Sequence, residues 1–335
     1  MISTRALKLF SLPFLLLLLC IGCASEGYYA GRQGSSHILA RDNEFVVLRV
    51  GRDDAHSLAK RFLGDAGRYW EIEDANAPRP IAPGRQIIIP LKEHNPGGFG
   101  FHGYQTVPIL CYHRFGEHGD SLEVSAAQFR EQLNYLKEND YRVIPLADLM
   151  GFLRGERSLP KRAVVLTIDD GHRSIYQVAY PMLKEFGYPV TLFIYSDYIE
   201  NGGLRWREID EMVKSGLISI QPHSKSHANL AVKRRGESKA QYARRLRNEV
   251  NVPTDMLRRH LRRKVAFYAY PYGDTNLQVI QELRDNGLHL GLTVQPHANA
   301  AFTSPYLLRR TMIFGQRGLP SFKSALETFK TRDAS

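Results

Sequence analysis

The chain has 335 residues, 43% of them hydrophobic, with 45 Lys and Arg against 34 Asp and Glu and a formal net charge of +11. That length admits one large domain, or a large and a small one, and the ordinary composition excludes collagen-like and low-complexity classes. Three cysteines, Cys20, Cys23 and Cys111, are too few and too scattered for a disulfide framework or a cysteine-based metal site.

Residues 1–22 read as a targeting segment. Arg5 and Lys8 form the positive flank of the apolar run Leu9 to Ile21, which Ser11 and Pro13 interrupt. The run is short for a membrane span and suits a signal-peptide core. Gly22-Cys23 resembles a bacterial lipoprotein cleavage site, which implies lipidation of Cys23 and a membrane anchor. Ala24 and Ser25 lack the Asp of inner-membrane retention, so the resemblance points to the outer membrane, facing the periplasm. An ordinary cleaved signal peptide or an uncleaved anchor fits the same residues. Residues 23–43 are polar and read as a tether. Cys111, inside "VPILCYH", reads as a small buried hydrophobe.

A small unit is expected over residues 44–92. "EFVVLRV" reads as a strand. "AHSLAKRFLG" carries Leu58, Phe62 and Leu63 at helical spacing, with Gly64 as a stop. "YWEIEDAN" reads as a second helix and "PIAPGRQIIIP" as a turn and a strand. This α+β order, with Ser57-Leu58-Ala59, Asn76 and Pro83-Gly84 before Ile87 to Pro90, resembles a LysM domain. The resemblance implies a module that holds N-acetylglucosamine chains; a packing or spacer unit is the other reading. Residues 93–106, with "EHNPGGFGFHG", read as a Gly-rich linker.

From residue 107 to 330 strand and helix patterns alternate. The strands are "VPILCYH", "RVIPL", "RAVVLTID", "VTLFIY", "ISIQPH", "VAFYAYP" and "LGLTV". The alternation predicts an α/β fold, a parallel sheet or barrel of about seven strands with helices outside. Working residues of such folds gather at the C-terminal strand ends. His113, Asp169, Asp170, His223 and the Pro271-Tyr272 pair all fall there.

The strand "VVLTIDD" ends in two adjacent carboxylates, Asp169 and Asp170, which need a positive partner. "HSKSH" places His223 and His227 four residues apart, a spacing at which two imidazoles can meet one ion. Two His and one carboxylate make three protein ligands and leave positions for water and substrate, as in catalytic zinc sites. The second carboxylate is then free to take a proton from water. A backbone N–H near Tyr272 can serve a developing oxyanion.

"TIDDG", "HSKSH" and "YPYG", in this order, resemble the polysaccharide deacetylases of the NodB-homology type, carbohydrate esterase family 4. The resemblance runs from Val107 to Phe314. It implies a distorted (β/α) barrel and metal-dependent hydrolysis of N-acetyl groups from an N-acetylglucosamine-containing envelope or exported polysaccharide. It implies Asp169 as base, and Asp170, His223 and His227 as ligands of a divalent metal, zinc first, with cobalt or nickel possible. Pro271 and Tyr272 would shape the acetyl pocket and oxyanion site, with Tyr270 beside them as a substrate contact. Ala269 stands where the family often has Arg; Arg310 is the candidate substitute and Arg309 the alternative. His297 is the candidate general acid. His113 and Trp206 are candidate substrate contacts, Trp206 as a sugar platform. Two other readings stay open: a catalytically impaired glycan-binding lipoprotein, and an O-acetyl esterase.

Between Lys225 and Lys264 the chain has 13 Lys and Arg against three Asp and Glu. The stretch 233–264 is either a solvated helical face or an attachment for anionic envelope surfaces. No nucleic-acid partner is expected of an exported chain.

Overall fold

The computed structural model describes residues 34–93, 95–117 and 121–331. The expected signal segment, Cys23 and the first part of the tether lie outside the described residues.

The N-terminal unit is an antiparallel sheet of three strands, His37–Arg41, Phe45–Arg49 and Gln86–Pro90, in that order. Two helices, Ala55–Leu63 and Tyr69–Asn76, connect the second strand to the third. Asp54 caps the first helix by accepting the Ser57 N–H at 2.7 Å. Val46, Leu48, Leu58, Ile72, Ile87 and Ile89 form its core. The expected order strand, helix, helix, strand is thus present, with one strand more. His37–Arg41 falls inside the expected tether; all five of its residues are exposed, so no burial pattern marks it in the sequence.

This unit is pinned to the next one by charge. Arg142 meets Glu73 at 2.6 Å and Asp74 at 3.2 Å, and the Lys161 N–H donates to Asp74 at 3.0 Å. The Ser158 N–H donates to Glu93 at 2.6 Å. The expected linker is itself structured. Phe99–Gly100 and Gly103–Gln105 form a hairpin that the last described strand, Phe329–Thr331, extends.

The large domain is a distorted parallel barrel. One sheet runs in the order Ile218–Pro222, Val190–Ile194, Ala163–Asp170, Ile109–Tyr112, Thr311–Met312. Phe267–Ala269 and Leu290–Leu292 form a second parallel pair. The segment "RVIPL" contributes only Arg142–Val143, paired at the start of Ala163–Asp170; Thr311–Met312 takes the seventh place in the ring instead. Helices pack outside, against the outward row Val164, Leu166 and Ile168. The inward row of the same strand begins with Ala163 and Val165, in the apolar interior, and continues as Thr167 and Asp169. Strand alternation therefore sends Asp169 into the barrel, not to its surface.

A side chain on one side and backbone bridges on the other close the gap between the two sheets. Gln221 Oε1 accepts the N–H groups of Ala266 at 2.9 Å and Phe267 at 3.0 Å. On the other side Leu292 bridges Leu308, and Asn299 exchanges backbone hydrogen bonds with Val107 at 2.8 and 2.9 Å. Gln221→Leu is expected to leave both amides without a partner and to destabilise the domain by about 2–6 kcal/mol, at roughly 1–3 kcal/mol per orphaned group. Urea unfolding checks this; a midpoint unchanged from wild type would show that another group closes the seam.

Candidate active site

Asp170 ends its strand in a left-handed turn, with φ 70 at Asp170 and φ 86 at Gly171. A Cβ at residue 171 would lie 2.8 Å from Ile194 Cγ2, so only glycine fits where the chain must turn. His223 follows the strand Ile218–Pro222, two places along the sheet, and His227 lies four residues on in a tight loop. Ser224 at φ 72 and His227 at φ 58 are both left-handed. The Ser224 hydroxyl accepts the His227 N–H at 2.8 Å and holds that turn.

These turns bring Asp170 Oδ1 to 3.7 Å from His223 Nε2 and 3.4 Å from His227 Nε2. His223 Nδ1 lies 2.8 Å from the Ala269 carbonyl, which can only accept, so Nδ1 carries the proton and the Nε2 lone pair faces Asp170. Burial pushes the His223 imidazole down to about 4 and also lowers His227. Both rings are neutral near pH 7, the state in which imidazole ligates a metal. Burial raises Asp170, His113 opposes that, and Asp169 adds to it. Asp170 Oδ1 is buried without a hydrogen-bond partner. A buried carboxylate oxygen with no donor, facing two neutral ring nitrogens, is a costly arrangement that one divalent cation resolves. The three donor atoms lie within 4.8 Å of one another, so the residues fit such an ion.

Asp169 has different partners. Arg310 Nη1 donates to Oδ1 and Nη2 to Oδ2, both at 2.7 Å. Arg310 is fully buried, with Nε donating to the Thr293 carbonyl at 2.9 Å and its guanidinium over the Phe193 ring at 5.5 Å. Burial alone would raise Asp169, but the Arg310 guanidinium outweighs it and holds the carboxyl well below the usual range. Cys111 Sγ lies 3.5 Å from Asp169 Oδ2 as a weak donor. Cys111 is therefore buried as expected, but it also contacts the acid. Asp169 Oδ2 is 3.8 Å from His223 Nε2, so the spare carboxylate stands directly beside the triad.

The other expected residues divide. Arg310, the candidate substitute for the arginine expected at Ala269, is the residue paired with Asp169; Arg309 is exposed and takes no part in the pair. His113 is 9% exposed, with Nδ1 unpartnered, and its ligand atom groups with those of Cys111 and Asp169. Pro271 is buried, and Tyr272, left-handed at φ 62 and 61% exposed, sets its ring 4.8 Å from that of His227. Tyr270 is not a substrate contact. It is fully buried in the outer core, and its hydroxyl donates to the Tyr306 carbonyl at 3.0 Å. Trp206 stacks on His260, ring centroids 3.8 Å apart, so helix packing occupies its face and the platform expectation fails. His297 is exposed and lines a cavity with Met312, Phe314 and Arg317, which contains no triad residue and neither Asp169 nor Arg310.

Two residues at the site escape a sequence reading. Tyr195, at the end of Val190–Ile194, tilts against His227 at 5.4 Å, and burial with nearby Asp170 pushes its phenol up to about 12. Glu249, far along the chain, accepts hydrogen bonds from the His223–His227 loop. Only the strand-end position of Tyr195 could have flagged it, and nothing local flags Glu249.

Fold and site together place a candidate cation triad and a separate buried acid at the mouth of a parallel barrel. Residues 156–291 match the family model for polysaccharide deacetylase. The putative polysaccharide deacetylase YxkH of Bacillus subtilis is 26% identical over 225 residues, 67% of this chain and 77% of its own length. A poly-β-1,6-N-acetyl-D-glucosamine N-deacetylase of Staphylococcus aureus is 26% identical over 199 residues, 58% of this chain and 68% of its own. Among solved structures, IcaB from Ammonifex degensii superposes with a TM-score of 0.60 at 25% identity, covering 67% of this chain and 99% of that one. The Streptococcus pyogenes deacetylase PplD, in complex with acetate, shares the fold at TM-score 0.60 and 24% identity, over 67% of this chain and 99% of that one. The chain carries a polysaccharide deacetylase domain and is a hydrolase.

Two outcomes are expected of the metal-free protein. Unfolded imidazole titrates near 6.5 and native His223 near about 4, so on acidification the unfolded state takes up its proton first. Stability is therefore fully present above 6.5 and falls as pH drops towards about 4, a slope that His223→Gln flattens in denaturant titrations at stepped pH. Arg310→Met leaves Asp169 buried and unpaired and costs about 3–5 kcal/mol at neutral pH. A loss under about 1 kcal/mol by the same titrations would mean that the acid finds another partner.

Proposed function

We propose that this domain hydrolyses N-acetyl groups from an exported N-acetylglucosamine polymer, with the β-1,6-linked polymer as the first substrate to try. The observation that carries the reading is Asp169, locked by Arg310 and 3.8 Å from a triad nitrogen. A protein that only bound glycan would gain nothing from that pair, whose burial is expensive. The S. aureus relative is named for that substrate, and YxkH is named for polysaccharide deacetylation.

A divalent cation held by Asp170, His223 and His227, zinc first with cobalt or nickel as alternatives, would polarise the acetyl carbonyl and acidify the attacking water. Asp169 takes a proton from that water, and Arg310 keeps the carboxylate ionised and fixed in orientation. The backbone N–H of Tyr272 supports the oxygen that becomes negative, and Pro271 with the Tyr272 ring bounds the acetyl pocket. His113, buried beside Asp169 with a free ring nitrogen, passes a proton to the departing amine; it takes the role first assigned to His297. The products are acetate and a free amino sugar.

The remaining readings are proposals of placement. Export and lipidation at Cys23 would tie the chain to the envelope, in the outer membrane facing the periplasm. The N-terminal unit acts as a LysM-like spacer docked through Arg142 and Lys161. Most of the stretch 233–264 is the helix Lys239–Leu261, whose outward face is basic and suited to anionic envelope surfaces.

Acetate release from β-1,6-linked N-acetylglucosamine oligomers, with chelation and metal add-back, tests the reading; O-acetylated and peptidoglycan substrates serve as the competing arms. Asp169→Asn is expected to keep its metal and lose about 10²–10⁴-fold in kcat. Wild-type turnover in that variant would remove Asp169 from the mechanism. His113→Gln is expected to lower kcat, whereas His297→Ala leaves it unchanged. The opposite pattern would return the proton-donor role to His297.

A further inference from the structure

Glu249 lies inside the long basic helix Lys239–Leu261, yet it is 6% exposed and turned away from the helix's own charges. Arg245, one turn earlier, would be its ordinary partner at that spacing. Arg245 is instead engaged by Glu237, Nε to Oε1 at 2.8 Å. Glu249 is committed to the loop between the two histidines. Its Oε2 accepts the Lys225 N–H at 3.0 Å and the Ser226 N–H at 2.9 Å, and its Oε1 accepts the Ser226 hydroxyl at 2.6 Å. Three hydrogen bonds to one buried carboxylate fix the middle of a five-residue segment whose ends are His223 and His227.

That segment needs holding. Ser224 and His227 sit in left-handed backbone that side-chain-bearing residues adopt at a cost. His223 is anchored separately through the Ala269 carbonyl, whereas the His227 ring packs edge-on or tilted against Tyr195 and Tyr272. The helix carrying Glu249 is itself fixed: Tyr242, Leu246, Val250 and Leu257 are buried in the outer core, and the Tyr242 hydroxyl donates to the Leu230 carbonyl at 2.6 Å.

We propose that Glu249 is a positioning residue for the cation site: its carboxylate sets the place of His227 relative to His223 and so sets the affinity for a divalent cation. The proposal rests on reading Asp170, His223 and His227 as a cation site and is independent of the substrate. Residues that support ligands in this way change metal affinity by about 10–100-fold when removed.

The test uses the full chain, stripped of metal and titrated with zinc alone against a chromogenic chelator, with thermal unfolding of the metal-free form alongside. Glu249→Ala is expected to weaken zinc binding by about 10–100-fold. Glu249→Gln, which keeps the shape and one acceptor oxygen, should recover part of that loss. Ser226→Ala, which removes only the hydroxyl contact, should weaken binding by a few-fold. Activity lost at limiting zinc should return with excess zinc in each variant, with KM for the glycan unchanged. If Glu249→Ala does not fold, Glu249→Gln and Ser226→Ala decide the matter. Undiminished zinc affinity in both, with normal binding by wild type, would overturn the role of Glu249 alone. Failure of wild type to bind zinc would overturn the cation-site reading and this proposal with it.

Discussion

The pairing of Arg310 with Asp169 is the interaction on which the site depends. Both groups are buried, and removing them from water is repaid only because the guanidinium matches both carboxylate oxygens and finds a carbonyl for its Nε. The pair divides the carboxylate doublet into two roles. Asp169, neutralised by arginine, asks nothing of a cation. Asp170, with no hydrogen-bond donor for Oδ1, is left to face two imidazoles. Two chemically identical neighbours thus acquire different tasks from strand alternation and from the left-handed turn that follows. The barrel supplies the setting: its inward rows are apolar low down and polar near the mouth, where Thr167, Asp169, Thr293 and Arg310 meet.

The parts of this arrangement that were legible in the sequence are the local ones. A β-branched run ending in Asp-Asp, and two histidines in a five-residue loop after a strand, announce themselves because a few adjacent residues carry the whole pattern. Arg310 is legible only through the family resemblance, since it reaches Asp169 from 141 positions away and nothing beside it in sequence predicts that contact. The outward placement of Tyr270 is carried by strand alternation. Phe267 and Ala269 face the interior, so a period of two places Tyr268 and Tyr270 outwards under the helices. Trp206 could not be read correctly, because its partner His260 comes from another helix. The strand His37–Arg41 has no buried residue, so only its partner's hydrogen bonds reveal it.

The docking of the small unit shows a different use of charge. Glu73, Asp74 and Glu93 meet Arg142, Lys161 and the Ser158 amide at the segment leading into Ala163–Asp170, that is, at the N-terminal end of the strand whose far end bears the acids. Binding there leaves the reactive mouth unobstructed. It also loads the entry of the central strand with fixed contacts, so that strand is held at its base by electrostatics and at its tip by Arg310.

The hairpin at Gly103–Gln105 is extended by Phe329–Thr331, so the large domain begins and ends on adjacent, hydrogen-bonded strands. Its connectivity is nearly circular. Joining these neighbours and opening the chain in the exposed stretch 232–236 would give a circular permutant with the same spatial neighbours and a different order of motifs. The arrangement of acids and imidazoles is therefore a property of the closed ring, and the order in which the chain spells them out is a separate matter of where that ring is cut.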